Sequence, residues 1–175
     1  EFLVLTATRS GEARGATWDE IDMGTPATSA TSATWTIPAS RMKMRRDHMV
    51  PLSKQAIAIL RDLHTITGNR ELVFPGIGNN QRPISENTLN GALRRLGYGQ
   101  EEMCSHGFRV LASTTLNNLG WNADVIEAQL AHQDKNAIRR IYNRADHLTE
   151  RKKLLQSWAD HLDALREDKN IVAIK

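Results

Sequence analysis

The sequence predicts a mainly α-helical domain with a small antiparallel β-sheet, an α+β fold class. Three observations predict it. Apolar residues recur at helical spacing over most of the chain after residue 53. β-Branched and aromatic residues concentrate in one short run at 34–37, with a second short run at 47–50. Gly, Pro, Asn and Ser punctuate the segments between.

The elements follow in order. Residues 2–5 are apolar, and residues 9–18 read as a short helix. Residues 25–34 form a low-complexity stretch of Thr, Ser and Ala with nothing to bury, expected to be a flexible loop. The strands at 34–37 and 47–50 flank a basic hairpin region at 40–46. Ser53 caps a helix whose stripe is Ala56, Ile59, Leu60 and Leu63. Residues 72–75 are a short buried extended piece, followed by a Gly/Asn/Pro loop. Ser85 caps a helix with the stripe Leu89, Ala92, Leu93 and Leu96. Ser105 reads as the N-cap of a helix ending near Leu119, with Gly120 as its stop signal. Asn122 caps the next helix, and Trp121 and Ile126 stand at the two positions of a hydrophobic staple. Asn136 begins a shorter helix that carries Tyr142. The last helix holds Leu155, Trp158, Leu162 and Leu165 at 3-4-3 spacing, and the tail after Arg166 is charged. Docking of that stripe onto its own domain is the simpler reading; docking onto a neighbouring subunit is the alternative.

The 175 residues, 40% of them hydrophobic, suffice for one compact domain with its own core. Lys and Arg number 23 against 20 Asp and Glu, a net charge of +3. That excess permits a nucleic-acid partner without demanding one. Cys104 is the only cysteine, so no internal disulfide forms, and the chain reads as cytoplasmic. It has no apolar run of membrane length and no signal-peptide pattern, so no membrane partner is expected. It lacks an initiator Met and starts at once on an apolar segment, which reads as the middle of a longer protein.

The chemistry-bearing residues are scattered. Arg9 and Glu12 are i,i+3 on the first predicted helix, so the carboxylate can orient the guanidinium; alone, such a pair is more often a surface ion pair. His106 and Arg109 are also i,i+3, near a helix N-terminus where free N–H groups favour an anion. His132 ends the helix that begins at Asn122. Lys43 lies among Arg41, Arg45 and Arg46, a cluster that can bind backbone phosphate or simply be solvated. Arg94 and Arg95 form a second basic patch. A guanidinium fits two phosphate oxygens and stays charged; a lysine ammonium can also give up a proton. Tyr142 supplies a hydroxyl ten residues after His132. The six histidines show no H-E-x-x-H or H-x-H spacing, which argues against a metal-dependent nuclease.

The ordered set of Arg9 with Glu12, Lys43, His106 with Arg109, His132 and Tyr142 resembles the catalytic signature of the tyrosine recombinases, the phage-integrase family. The Lys43 turn running into residues 47–52 resembles the family's lysine hairpin. The phrases at 34–39, 85–89 and 106–109 look most like integrases of prophages and genomic islands. The resemblance spans roughly residues 3–166, with departures in the Thr/Ser/Ala stretch and at Ala13 and Arg14, where leucines are usual. It implies the family's catalytic-domain fold for the whole of 1–175, begun late and without the N-terminal DNA-binding domain. It implies Tyr142 as nucleophile, Arg9 and Arg109 on the non-bridging oxygens, and Lys43 as the acid at the leaving 5′ oxygen. His106 would assist proton transfer, His132 would hydrogen-bond the phosphate, and Glu12 would orient the site. No cofactor and no obligatory metal are implied. The partners implied are double-stranded DNA attachment sites, three further copies in a tetramer formed on DNA by a chain that is monomeric alone, and accessory DNA-bending proteins. A type IB topoisomerase-like strand relaxer and a non-catalytic DNA-binding module remain as alternatives.

Overall fold

A computed structural model describes residues 1–25, 32–132 and 147–167. Within them the chain is mostly helical with one small antiparallel sheet, the class that the periodicity predicts. The expected helix from Asn136 with Tyr142, most of the Thr/Ser/Ala stretch and the tail beyond 167 lie outside the described residues.

Two short helices, α1 (Phe2–Thr6) and α2 (Ser10–Arg14), open the chain. The sheet has the order β1-β2-β3, with β1 at Ile21–Asp22, β2 at Thr34–Ile37 and β3 at His48–Pro51. Trp35 pairs with Val50 and Ile37 with His48, so the two-residue period turns all four side chains into the core. β1 escapes sequence reading because two residues are too few to show alternation. Phe2 packs between Trp35 and Phe74, with ring centroids 5.5 and 5.7 Å away.

The next helix, α3 (Lys54–Thr67), starts as predicted: Ser53 Oγ accepts the Ala56 N–H at 3.2 Å. Ala56 and Leu60 are buried, and Ile59 and Leu63 pack at the margin of the core. In α4 (Asn87–Arg95) the N-cap is Glu86, and the Ser85 hydroxyl meets Thr88 Oγ1 at 2.9 Å instead of capping the backbone. Leu89 and Leu93 face the core, but Leu96 is 74% exposed. The helix has ended before it, and Gly97, at φ 95°, turns the chain away.

A second correction concerns α5 (Gly107–Asn118), whose N-cap is His106 and not Ser105. The Ser105 N–H is already held by Asn90 Oδ1 at 2.8 Å, which ties the start of α5 to α4. Gly120, at φ 80°, follows the end of α5 as predicted. Asn122 caps α6 (Ala123–Gln129) by accepting the Asp124 N–H at 2.8 Å, and Trp121 and Ile126 both pack on the core as a staple requires.

The last helix, α7 (Leu148–Glu167), packs on α1, α5, α6 and β3. Leu154, Leu155, Trp158 and Ala159 are buried, whereas Leu165 is 44% exposed, so the stripe stops short of the helix end. The Trp158 indole N–H donates to the Val4 carbonyl at 2.9 Å, which docks the helix onto its own α1. Trp158→Ala should therefore lower the unfolding free energy by roughly 3–5 kcal/mol, read from urea titrations. A loss below about 1 kcal/mol would show that this docking contributes little to the fold. Among the described residues no helix is long and apolar enough to cross a membrane.

Candidate active site

Arg9 stands at the N-cap of α2 in an extended conformation. Its backbone N–H donates to Glu12 Oε2 at 2.8 Å, and its Nη1 donates to Oε1 at 2.7 Å. One buried carboxylate thus holds both the backbone and the side chain of Arg9. The segment is anchored to the sheet by Arg41, which donates to the Glu12 carbonyl and pairs with the Glu20 carboxylate. Glu20 in turn accepts the Trp35 indole N–H at 2.9 Å.

Arg109, in the first turn of α5, is only 4% exposed. Its Nη1 donates to the Ala7 carbonyl at 2.9 Å, and its Nη2 donates to the Leu130 carbonyl. Ala7 lies two residues before Arg9, and Leu130 lies two residues before His132. One guanidinium therefore joins the turns that launch two other predicted site residues. Each turn passes through a left-handed alanine, Ala7 at φ 51° and Ala131 at φ 46°. Such a conformation disfavours an L-residue and persists where surrounding contacts over-determine it. Burial, then the nearby charge of Arg9, pushes the Arg109 pKa down to about 10, opposed by Glu12 and Glu127. It remains a cation at neutral pH.

His132 is exposed, and its Nδ1 meets Glu127 Oε2 at 2.7 Å. His106 is exposed at the N-cap of α5, one turn before Arg109. Lys43 is exposed in the turn between β2 and β3. The fold thus gathers Arg9, Glu12, Arg109 and the turn before His132. Among the described residues His106 joins that group only through its backbone carbonyl, which accepts the Arg109 N–H at 3.1 Å, and Lys43 shares no hydrogen bond with it. Tyr142 lies outside the described residues.

The basic clusters divide. The Arg41 guanidinium is committed to Glu20 and Glu12, and that of Arg94 to the Tyr98 and Met103 carbonyls. Each guanidinium is thereby fastened to the fold, as that of Arg109 is. Arg45, Arg46 and Arg95 are exposed.

Sequence reading assigned no role to a buried polar group behind this cluster. Gln129, 1% exposed, donates its amide to the Thr6 carbonyl at 2.9 Å. Its Oε1 accepts Arg151 Nε at 3.0 Å, and its backbone carbonyl meets His48 Nε2 at 3.1 Å. Arg151 Nη2 also reaches the Met49 carbonyl at 2.6 Å. Burial, reinforced by Arg151 and more weakly by Arg109 and Arg9, pushes the His48 pKa down to about 3. The ring is then neutral, and Nε2–H is the donor to Gln129.

A histidine with a depressed folded pKa binds fewer protons folded than unfolded between about pH 3 and 6.5. Its contribution to stability should rise with pH across that window, at up to about 1.4 kcal/mol per unit, and be constant above it. His48→Gln keeps an N–H donor and removes the titration. Denaturant-derived stabilities of the two proteins should diverge in slope below pH 6.5. Parallel profiles would place the acid sensitivity elsewhere.

The chain belongs to the phage integrase family, whose profile matches residues 1–148. It is 48% identical over 161 residues to prophage integrase IntA of Escherichia coli (strain K12), covering 92% of this chain and 37% of that protein. It is 42% identical over 178 residues to the integrase of Enterobacteria phage P4, covering 93% and 39%. It is 40% identical over 164 residues to the integrase of Shigella phage Sf6, covering 93% and 40%. The chain thus spans about two fifths of the length of these relatives. No solved structure matches it.

Proposed function

We propose that this chain is the catalytic domain of a site-specific DNA recombinase that integrates or excises a mobile element. The observation that carries the reading is the pair of bonds from Arg109 to the Ala7 and Leu130 carbonyls, which draws the Arg9 and His132 turns together. In this reading the phenol oxygen of Tyr142 attacks the scissile phosphorus. A P–O bond to Tyr142 forms and the P–O5′ bond breaks, leaving a 3′-phosphotyrosine and a 5′-hydroxyl. His106 takes part in moving the phenolic proton, and Lys43 protonates the departing 5′ oxygen. Arg9 and Arg109 neutralise the charge on the non-bridging oxygens. Glu12 holds Arg9, and His132, fixed through Nδ1 by Glu127, offers Nε2 to the phosphate. The phosphotyrosine conserves the bond energy, so rejoining needs no nucleotide cofactor.

The partner in this reading is double-stranded DNA bearing attachment sites, bound by four copies of the full protein with accessory bending proteins. An N-terminal DNA-binding domain would close the clamp. Exposed Arg45, Arg46 and Arg95 are the cations best placed to follow backbone phosphates. The test is incubation of the full-length protein with a nicked suicide duplex from its attachment site, followed by a denaturing gel. A covalent protein–DNA band is expected. DNA binding without any such band would make the chain a binding module, and relaxation of supercoils without a site would make it a topoisomerase-like enzyme.

A further inference from the structure

The buried group around Gln129 lies where three parts of the candidate site meet. Gln129 and Leu130 are adjacent, as are Thr6 and Ala7. Two side chains lace these two short backbones together: the Gln129 amide takes the Thr6 carbonyl, and the Arg109 guanidinium takes the Ala7 and Leu130 carbonyls. The lacing is double, so neither turn can slide past the other without breaking both links. Arg151 completes it from a different element. It lies in the first turn of α7, nine residues after Tyr142, and is 3% exposed. Its Nε fixes Gln129 Oε1 while its Nη2 fixes the Met49 carbonyl of β3. His48, next to Met49, holds the Gln129 backbone carbonyl. Both the side chain and the main chain of Gln129 are therefore fastened. A helix that existed only to pack would place an apolar residue at this position, since burying a guanidinium carries a desolvation penalty.

We propose that Gln129 and Arg151 are positioning residues of this site, a buried pair that holds the Arg9 and His132 turns in one register around Arg109 and fastens both to the helix following Tyr142. The inference rests on the recombinase reading above. Neither residue touches the phosphate; each acts through the backbone that presents Arg9 and His132. Displacing a charge-stabilising group by an ångström slows a reaction by roughly a hundred-fold, so the pair should act on the rate of cleavage and not on DNA affinity.

Two variants of the full-length protein separate this role from bulk stability. Gln129→Glu keeps an oxygen for Arg151 and removes the amide donor to the Thr6 carbonyl. Arg151→Lys keeps the charge and loses the fork that reaches Gln129 and Met49 together. Single-turnover covalent-complex formation is measured on a nicked suicide duplex with a normal phosphate and with a methylphosphonate at the scissile position. The methylphosphonate carries less charge for the guanidinium pair to neutralise. Both variants are expected to bind DNA within about two-fold of wild type and to cleave the normal duplex roughly ten- to a hundred-fold more slowly. On the methylphosphonate the deficit should shrink several-fold. A wild-type rate in Gln129→Glu, or a deficit equal on both substrates that follows the fall in Tm, overturns the inference. If Arg151→Lys does not fold, Gln129→Glu alone decides. A wild-type protein that forms no adduct at Tyr142 would overturn the recombinase reading itself, a result distinct from a normal adduct formed at a normal rate by Gln129→Glu.

Discussion

Tyr142→Phe is expected to abolish the covalent protein–DNA adduct while leaving DNA affinity within about two-fold. The substitution removes one oxygen and keeps the ring, so only the attacking atom is lost. The scale of the loss follows from other covalent catalysts. Removing a serine nucleophile from a hydrolase costs on the order of 10^6-fold in rate, and no water-based route replaces phosphotyrosine formation. On the nicked suicide duplex the denaturing gel should therefore show no shifted band. Tyr98 is the one other tyrosine in the sequence. It is exposed just after α4, its own carbonyl is held by Arg94, and among the described residues no histidine or second guanidinium is bonded to it. An adduct that persists in Tyr142→Phe, or a digest that maps the linked peptide to Tyr98, would move the nucleophile and undo the proposed order of the site.

Much of the fold was legible because burial imposes period. The Ser53 and Asn122 caps, the Trp121–Ile126 staple and the β2–β3 pairing all follow from residue type and spacing. The errors lie where a local signal competed with tertiary contact. Ser105 is a good cap by type, yet the N-cap of α5 is His106, and the Ser105 N–H is tied to Asn90 of α4. Leu96 and Leu165 continue apolar stripes on paper and fall beyond the ends of the buried faces. The candidate site was read in a different way. The resemblance to the phage-integrase signature singled out Arg9, Glu12, Arg109 and His132, and no local rule could say that Arg109 bridges turns separated by more than a hundred residues of chain. The Gln129 group was missed because a buried polar residue has no period of its own. A signal did exist. His48 falls on the inward phase of β3 with Val50, and Arg151 heads the stripe that continues through Leu154, Leu155 and Trp158. A cation at the head of an apolar helix face is an anomaly that burial has to resolve, and a glutamine side chain and a backbone carbonyl are among the groups that accept from it.

Arg109→Lys should slow single-turnover cleavage by roughly a hundred-fold or more, the scale of removing one preorganised donor from a charge-stabilising site. Two effects combine. A guanidinium presents several N–H donors in a rigid plane, so it can hold the Ala7 and Leu130 carbonyls and still direct donors at a phosphate. A lysine ammonium has three donors on a flexible stem and cannot satisfy both carbonyls and an anion in one geometry. It would either release one turn, freeing the left-handed Ala7 or Ala131 to relax, or turn away from the substrate. The deficit should therefore appear in the cleavage rate more than in DNA affinity, which many other phosphate contacts share. Because two buried carbonyls lose part of their bonding, the variant should also lose about 1–3 kcal/mol of stability. Cleavage and stability are measured on the same preparation, below its unfolding transition. A variant that cleaves at a near-normal rate with reduced stability would leave Arg109 as a brace between the two turns and remove it from contact with the phosphate.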